Sequence, residues 1–186
     1  MIVIDNFLNQ KDYISLKNRL DEISLTDDLN IKEDPDHKNL QNSKIYDIMY
    51  NDVKVVIDEL TNRQILNTNF DGELPHTRYH ITKKPYYTKF HRDSLSYDEN
   101  KDDVDHFGVT IFFNNIWQEQ WGGLYTYKEE NSNNYYKSYT QKYIEPISNR
   151  CIINPNDTPH AVTKMTSPNE IERKSLQLFF NTKYFL

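Results

Sequence analysis

Apolar residues recur at helical spacing only in the first third of the chain. Tyr13, Leu16, Leu20 and Ile23 follow Asn9, whose side-chain oxygen can cap a helix N-terminus, and they predict one amphipathic helix. Ile45, Ile48, Met49, Val53, Val56 and Leu60 form a second apolar stripe and predict another. Residues 26–42, rich in Asp, Asn and Lys, show no apolar periodicity and read as a loop. From Glu73 onward, short β-branched and aromatic runs alternate with breaks at Gly122-Gly123, Pro146 and Asn154-Pro155. That rhythm predicts a mainly β fold with flanking helices. Its core would be an antiparallel jelly roll over residues 73–184, with the helices of residues 1–70 packed on one outer face. The expected organisation is a single domain spanning 1–186.

Composition narrows the setting. A chain of 186 residues can bury a real core, although only 37% of its residues are hydrophobic, so the 14 tyrosines must carry part of it. The net charge of −6 disfavours attraction to nucleic acid or to an anionic membrane. Met1-Ile2-Val3-Ile4 is apolar, but Asp5 and Asn6 end the run far short of a signal-peptide core or a membrane span. The lone Cys151 excludes an intrachain disulfide. A cytoplasmic protein without membrane or nucleic-acid partners is the expectation.

The candidate chemistry lies in the β region. His91 and Asp93 flank Arg92, and alternation along a strand would place both on one face; His160 would bring a third donor from another strand. Two neutral imidazoles and one carboxylate on one face of an octahedral ion leave the opposite positions open, which suits non-haem Fe(II). A closed structural zinc site offers no such vacancy. Arg173 follows His160 by 13 residues, and a guanidinium can form two parallel charge-assisted hydrogen bonds to the far carboxylate of a dianionic cosubstrate. Along the last strand, Arg173, Ser175 and Gln177 alternate between Ile171 and Phe179, a polar trio inside an apolar frame. Buried polar groups need partners, so this is the pattern of a strand lining a ligand cavity. His76 and His80 lie four apart in an extended stretch and read as ordinary polar positions, while His106 reads as a strand-end residue.

The region from Tyr79 to Phe180 resembles the Fe(II)/2-oxoglutarate-dependent oxygenases, nearest to the prolyl 4-hydroxylase-like branch. Besides His91, Asp93 and His160, the matching pieces run in the family's order: Val109 to Asn115, Trp121-Gly122-Gly123-Leu124, Asn149 to Ile153, and the Arg-x-Ser of Arg173 and Ser175. The resemblance implies a double-stranded β-helix of the jelly-roll, cupin-like kind. It implies iron held by His91, Asp93 and His160, and 2-oxoglutarate bound by Arg173, Ser175 and Tyr79. Oxygen is the further cosubstrate and ascorbate an accessory reductant. Oxidative decarboxylation would then release succinate and carbon dioxide and drive hydroxylation of an unactivated carbon. Two departures stand out: no glycine separates Tyr79 from His91, and Arg173 stands where many prolyl hydroxylases have lysine.

Three functions stay open on these grounds. They are a hydroxylase of a prolyl or other residue in a protein or peptide, a hydroxylase of a free amino acid or small metabolite, and a non-catalytic jelly roll that binds metal or a small acid. Because Asp93 fills the carboxylate position, halogenation is disfavoured. Nucleic-acid demethylation is disfavoured because Phe179 stands where those relatives carry a second arginine. The acidic segment 94–105 reads as a solvated loop that would also suit a basic substrate. The tyrosine-bearing segment 131–143 fits either a hairpin over an extended peptide or a strand pair on the barrel.

Overall fold

The computed structural model describes residues 1–26, 43–71, 76–93, 106–131, 138–155 and 158–186. The segments 27–42 and 94–105 lie outside the described residues, as do residues 132–137 of the tyrosine-bearing segment, whose residues 138–143 are strand paired antiparallel to residues 126–131. Two helices and nine strands are described: β1 (Ile2–Ile4), α1 (Gln10–Thr26), β2 (Ser43–Asp47), α2 (Tyr50–Asn62), β3 (His76–Thr82), β4 (His106–Phe112), β5 (Tyr125–Asn131), β6 (Ser138–Ile144), β7 (Cys151–Pro155), β8 (His160–Val162) and β9 (Arg173–Asn181).

Local chemistry explains where the helices begin. Asn9 caps α1, its Oδ1 accepting a hydrogen bond from the Asp12 amide at 3.0 Å. The apolar stripe then runs along the buried side, with Tyr13, Leu16, Leu20 and Ile23 all buried. The second helix differs from expectation. It starts at Tyr50, after an exposed Met49 at the N-cap position, and buries Val53, Val56, Ile57 and Leu60. Ile45 instead belongs to β2, opposite His80 of β3, and Ile48 follows that strand with its amide bonded to the Thr77 carbonyl. A strand edge that must satisfy its backbone groups outweighs a local helical spacing.

The strands form two antiparallel sheets, ordered β1-β7-β4-β9-β3-β2 and β6-β5-β8 among the described residues. This is the expected double-stranded β-helix, with β1 and β2 extending the larger sheet from the region read as helical support. Residues paired across an antiparallel ladder share a face. Val109 faces Leu178, Phe107 faces Phe180, Ile111 faces Leu176 and Tyr79 faces Leu176, so these side chains all project to one side. There they join Leu16, Leu20, Val56 and Leu60 in the main core. Each such large side chain, taken fully out of water, contributes roughly 1.5–3 kcal/mol.

The opposite face of the larger sheet carries Thr110 opposite Gln177, Phe112 opposite Ser175, and Arg173 opposite Thr82. Phe112 and Ile152 on that face meet Tyr125 and Ile144 of the three-stranded sheet in a second, smaller cluster. The candidate site occupies the space between the two sheets, away from the helices.

Candidate functional site

His91 and His160 are joined by a two-residue antiparallel bridge, each amide donating to the other's carbonyl, at 2.9 Å from His91 and 3.0 Å from His160. Direct pairing puts both imidazoles on one face, with ring centroids 4.5 Å apart. The expected strand through both His91 and Asp93 is therefore reduced to this single bridge, and Asp93 lies beyond it in irregular chain. A bridge is enough, because His160 in β8 supplies the register that a longer strand would have supplied.

The outer nitrogens set the ring orientations. His91 Nδ1 lies 2.8 Å from the Lys89 carbonyl, and His160 Nδ1 lies 3.2 Å from the Thr158 carbonyl and 3.1 Å from the Asn154 side-chain amide. At His91 the carbonyl acceptor keeps the proton on Nδ1 and leaves Nε2 as a lone-pair donor, the tautomer a metal requires, whereas His160 Nδ1 faces both a carbonyl that accepts and an amide nitrogen that donates, which favour opposite tautomers. Both Nε2 atoms point at Asp93 Oδ1, from 3.8 Å for His91 and 3.5 Å for His160. The three donors lie within 4.8 Å of one another. Donors about 2.1 Å from one shared ion stand about 3 Å apart on one face of an octahedron, so one ion could draw this cluster together. Burial pushes the Asp93 carboxyl up, but when the imidazoles are protonated rather than free to bind metal, the hydrogen bond and charge of His160, with the charges of His91 and His106, outweigh it and hold the group below the usual carboxylate range. His106 opens β4, as a strand-end residue should, and is buried.

Arg173 opens β9 and is only 3% exposed. Its Nε donates to the Gly123 carbonyl at 2.9 Å, Nη1 to Ser175 Oγ at 3.4 Å, and its Cζ lies 5.0 Å from the centroid of the Phe112 ring. Burial pushes its pKa down to about 10, with Tyr86 and Tyr125 acting in the opposite direction. Among the described residues no carboxylate neutralises this guanidinium. A buried, uncompensated cation with donors to spare is an anion-binding site by its chemistry.

Gly122 and Gly123 shape that pocket, both at φ +63°. A Cβ on Gly122 would stand 2.0 Å from the Lys164 carbonyl oxygen, and one on Gly123 would stand 2.8 Å from the Trp117 ring and 2.9 Å from Met165 Cγ. Only glycine lets the chain bend here and bring its carbonyl to Arg173.

Two tyrosines exchange places relative to expectation. Tyr79 does not join the pocket. It stands three positions from Thr82, the residue paired with Arg173, so alternation sends it to the helix side, where it packs edge-on to Phe113 at 6.3 Å and against Tyr46. Tyr125, which the spacing arguments passed over, is on the pocket side instead. Its ring stacks on His160 at 5.1 Å between centroids and 9° between planes. Burial raises its pKa, the Asp93 charge adds to that and the Arg173 charge opposes it, which keeps the phenol protonated. The signal was available in part: Tyr125 follows the Gly-Gly turn and begins a strand. Its pairing with β8, Tyr125 opposite Val162 and Tyr127 opposite His160, is what no local pattern reports.

A double-stranded β-helix holding two imidazoles and a carboxylate beside a buried guanidinium defines the class to which such a chain can belong. Residues 76–181 match the 2OG-Fe(II) oxygenase superfamily, and the chain belongs to that family. Among solved structures it is similar to a prolyl-4-hydroxylase of Pseudomonas putida, at 16% identity and TM-score 0.67, over 97% of this chain and 91% of that one. A prolyl hydroxylase of Trichoplax adhaerens, in complex with a hypoxia inducible factor peptide fragment, matches at 16% identity and TM-score 0.70, over 98% of this chain and 84% of that one. HygX of Streptomyces hygroscopicus, with nickel, 2-oxoglutarate and hygromycin B bound, matches at 12% identity and TM-score 0.64, over 97% and 82% of the respective chains. No curated protein sequence matches the chain. Family membership implies Fe(II), 2-oxoglutarate and O2 as the reacting partners, and the donor set at His91, Asp93 and His160 fits such an ion. No helix among the described residues is long and apolar enough to cross a membrane.

Proposed function

We propose that the chain acts as one cytoplasmic oxygenase domain that hydroxylates an unactivated carbon of a protein or peptide residue, prolyl by preference, with release of succinate and carbon dioxide. The observation that carries this reading is the pairing of a convergent His-Asp-His cluster with a buried guanidinium that no described carboxylate neutralises. His91, Asp93 and His160 hold the iron, and their fixed orientation leaves its remaining positions to cosubstrate and oxygen. Arg173 binds the distal carboxylate of 2-oxoglutarate, and Ser175, already 3.4 Å from its guanidinium, adds a hydroxyl to the same group. The bound iron supplies the activation of oxygen; the chain supplies geometry and a dry, charged pocket. Phe112, Tyr125, Ile144 and Ile152 close one side of that pocket with apolar surface and keep bulk water out.

Hydroxylation of a small metabolite is the second reading, because this fold has been solved both with a peptide and with hygromycin B bound. Both readings share one first test. Fe(II) and 2-oxoglutarate are added without oxygen, then oxygen is admitted with ascorbate as reductant, and succinate is measured alone and with panels of prolyl peptides and metabolites. The expected result is succinate that disappears in His91→Ala, Asp93→Ala and His160→Ala, and a gain of one oxygen atom on a peptide. Binding of both ligands without succinate in any panel would make the chain a binding module, and a gain of oxygen only on metabolites would move the assignment to the second reading.

A further inference from the structure

Asn154 carries a buried polar atom for which the site described so far has no use. It stands in β7 opposite Gly108, on the cavity face of the larger sheet, and is 4% exposed. Its Nδ2 lies 3.1 Å from His160 Nδ1, which ties that sheet to the first residue of β8, while its Oδ1 is buried without a hydrogen-bond partner among the described residues. A buried amide oxygen is ordinarily bonded. The far side of the imidazole explains the exception. His160 Nε2 points at Asp93 Oδ1 from 3.5 Å; a proton on Nε2 serves that contact and leaves Nδ1 as the acceptor for the Asn154 amide. Metal ligation demands the reverse, because Nε2 must then offer its lone pair and a neutral ring carries its proton on Nδ1. The Thr158 carbonyl, 3.2 Å away, can accept from that proton, but the Asn154 NH2 group would meet it donor to donor. The ring cannot resolve the conflict by turning: Tyr125 stacks on it at 9° and 5.1 Å, and a turn would carry Nε2 away from Asp93. The amide can, since a half-turn about its Cβ–Cγ bond exchanges oxygen and nitrogen in place, and Gly108 puts no side chain against it from β4.

We propose that Asn154 is a positioning residue for His160 whose amide makes a half-turn on metal loading: Nδ2 donates to Nδ1 while the ring proton is on Nε2, and Oδ1 accepts from Nδ1 once Nε2 is a metal ligand. This rests on the reading of His160 as a metal ligand. A proton leaves Nε2 and one is taken up at Nδ1, both through water, so the ring is neutral before and after. The turn gives Oδ1 its partner and places two acceptors, Asn154 and the Thr158 carbonyl, around one N–H, which holds Nε2 in the direction the ion requires. Asp93 Oδ2, 3.6 Å from where a Cβ of Gly108 would stand, offers the turned NH2 group an acceptor on the same face.

The test uses Zn(II), which is diamagnetic and requires no turnover, at a pH of about 8, above the ordinary histidine range. Nitrogen-labelled protein is read by NMR after metal stripping and again after Zn(II) loading. In the stripped wild type the His160 proton should sit on Nε2, with a coupling across the hydrogen bond from Asn154 Nδ2 to His160 Nδ1. After loading, the proton should sit on Nδ1 and the coupling should be lost. Two variants separate donor from acceptor. Asn154→Leu offers neither at nearly the same volume, so in the stripped protein the Thr158 carbonyl alone should draw the proton to Nδ1. Asn154→Asp can only accept; it should hold the Nδ1 form with and without Zn(II) and bind Zn(II), by calorimetry, at least as tightly as the wild type. A side chain that merely packs would leave the ring proton where it is in both variants. A proton on Nδ1 in the stripped wild type, or a coupling that survives Zn(II), would overturn the proposal and leave the metal site standing, and these two spectra decide it even where a variant fails to fold. A stripped Asn154→Leu still protonated at Nε2 would overturn it as well. Failure of the wild type to bind Zn(II) would overturn both the proposal and the reading of His160 as a metal ligand.

Discussion

Replacing Arg173 by methionine should leave the empty protein about as stable as before while removing most of its affinity for 2-oxoglutarate. Burial lowers the guanidinium from an ordinary value of 12.5 to about 10, which corresponds to about 3 kcal/mol of disfavoured charge in the folded state. The sign follows directly: a base with a depressed folded pKa is destabilising wherever it is protonated, and at neutral pH Arg173 is protonated both folded and unfolded. Methionine removes that penalty. It also removes the hydrogen bond from Nε to the Gly123 carbonyl and the contact with the Phe112 ring, about 1.5–3 and up to about 2 kcal/mol respectively. The opposing effects nearly cancel, and urea unfolding of the metal-free variant should fall within about 2 kcal/mol of wild type. Binding has no such compensation. Losing a bidentate, desolvated partner for a carboxylate costs about 2–5 kcal/mol, so titration of 2-oxoglutarate into the Mn(II)-loaded variant should show a loss of about 30-fold to several thousandfold. A loss below about threefold would refute the role given to Arg173. Destabilisation beyond about 4 kcal/mol would refute the premise that its charge has no protein counterpart.

Two further outcomes follow from the geometry. Gly122→Ala should destabilise by at least about 2 kcal/mol in chemical denaturation, since its φ is +63° and the added Cβ would stand 2.0 Å from the Lys164 carbonyl oxygen, whereas Gly108→Ala, with its nearest neighbour at 3.5 Å, should fold normally. Asp21 accepts from Lys17 and from Lys174, both at 2.8 Å, and although burial alone raises its carboxyl, these partners bring it below the usual carboxylate range. Its stabilisation is therefore present above the unfolded carboxylate value near 3.9 and is lost as pH falls through the lower folded value. Unfolding curves for Asp21→Asn should show a deficit of about 1 kcal/mol at pH 7 that closes on acidification below the usual carboxylate range; a deficit independent of pH would show that packing, not charge, is responsible.

Much of this protein could be read from neighbouring residues alone. The stripe Tyr13, Leu16, Leu20 and Ile23 with its Asn9 cap identified α1, because helix spacing and capping act within a few residues. The alternation of Arg173, Ser175 and Gln177 along β9, and the Gly-Gly turn at 122–123, were equally local in origin. What the chain does with those elements required contacts made far apart in sequence. Ile45 left its helical stripe because β3 offered an unpaired edge that residues 43–47 could satisfy. Asp93 needed no strand because His160, distant in sequence, bridges to His91 and brings the cluster together. Tyr79 and Tyr125 differ in nothing that composition or β propensity reports, yet one packs against the helices and the other stacks on His160. Strand alternation offers each side chain two faces, and only the pairing of distant strands decides which of them is the cavity.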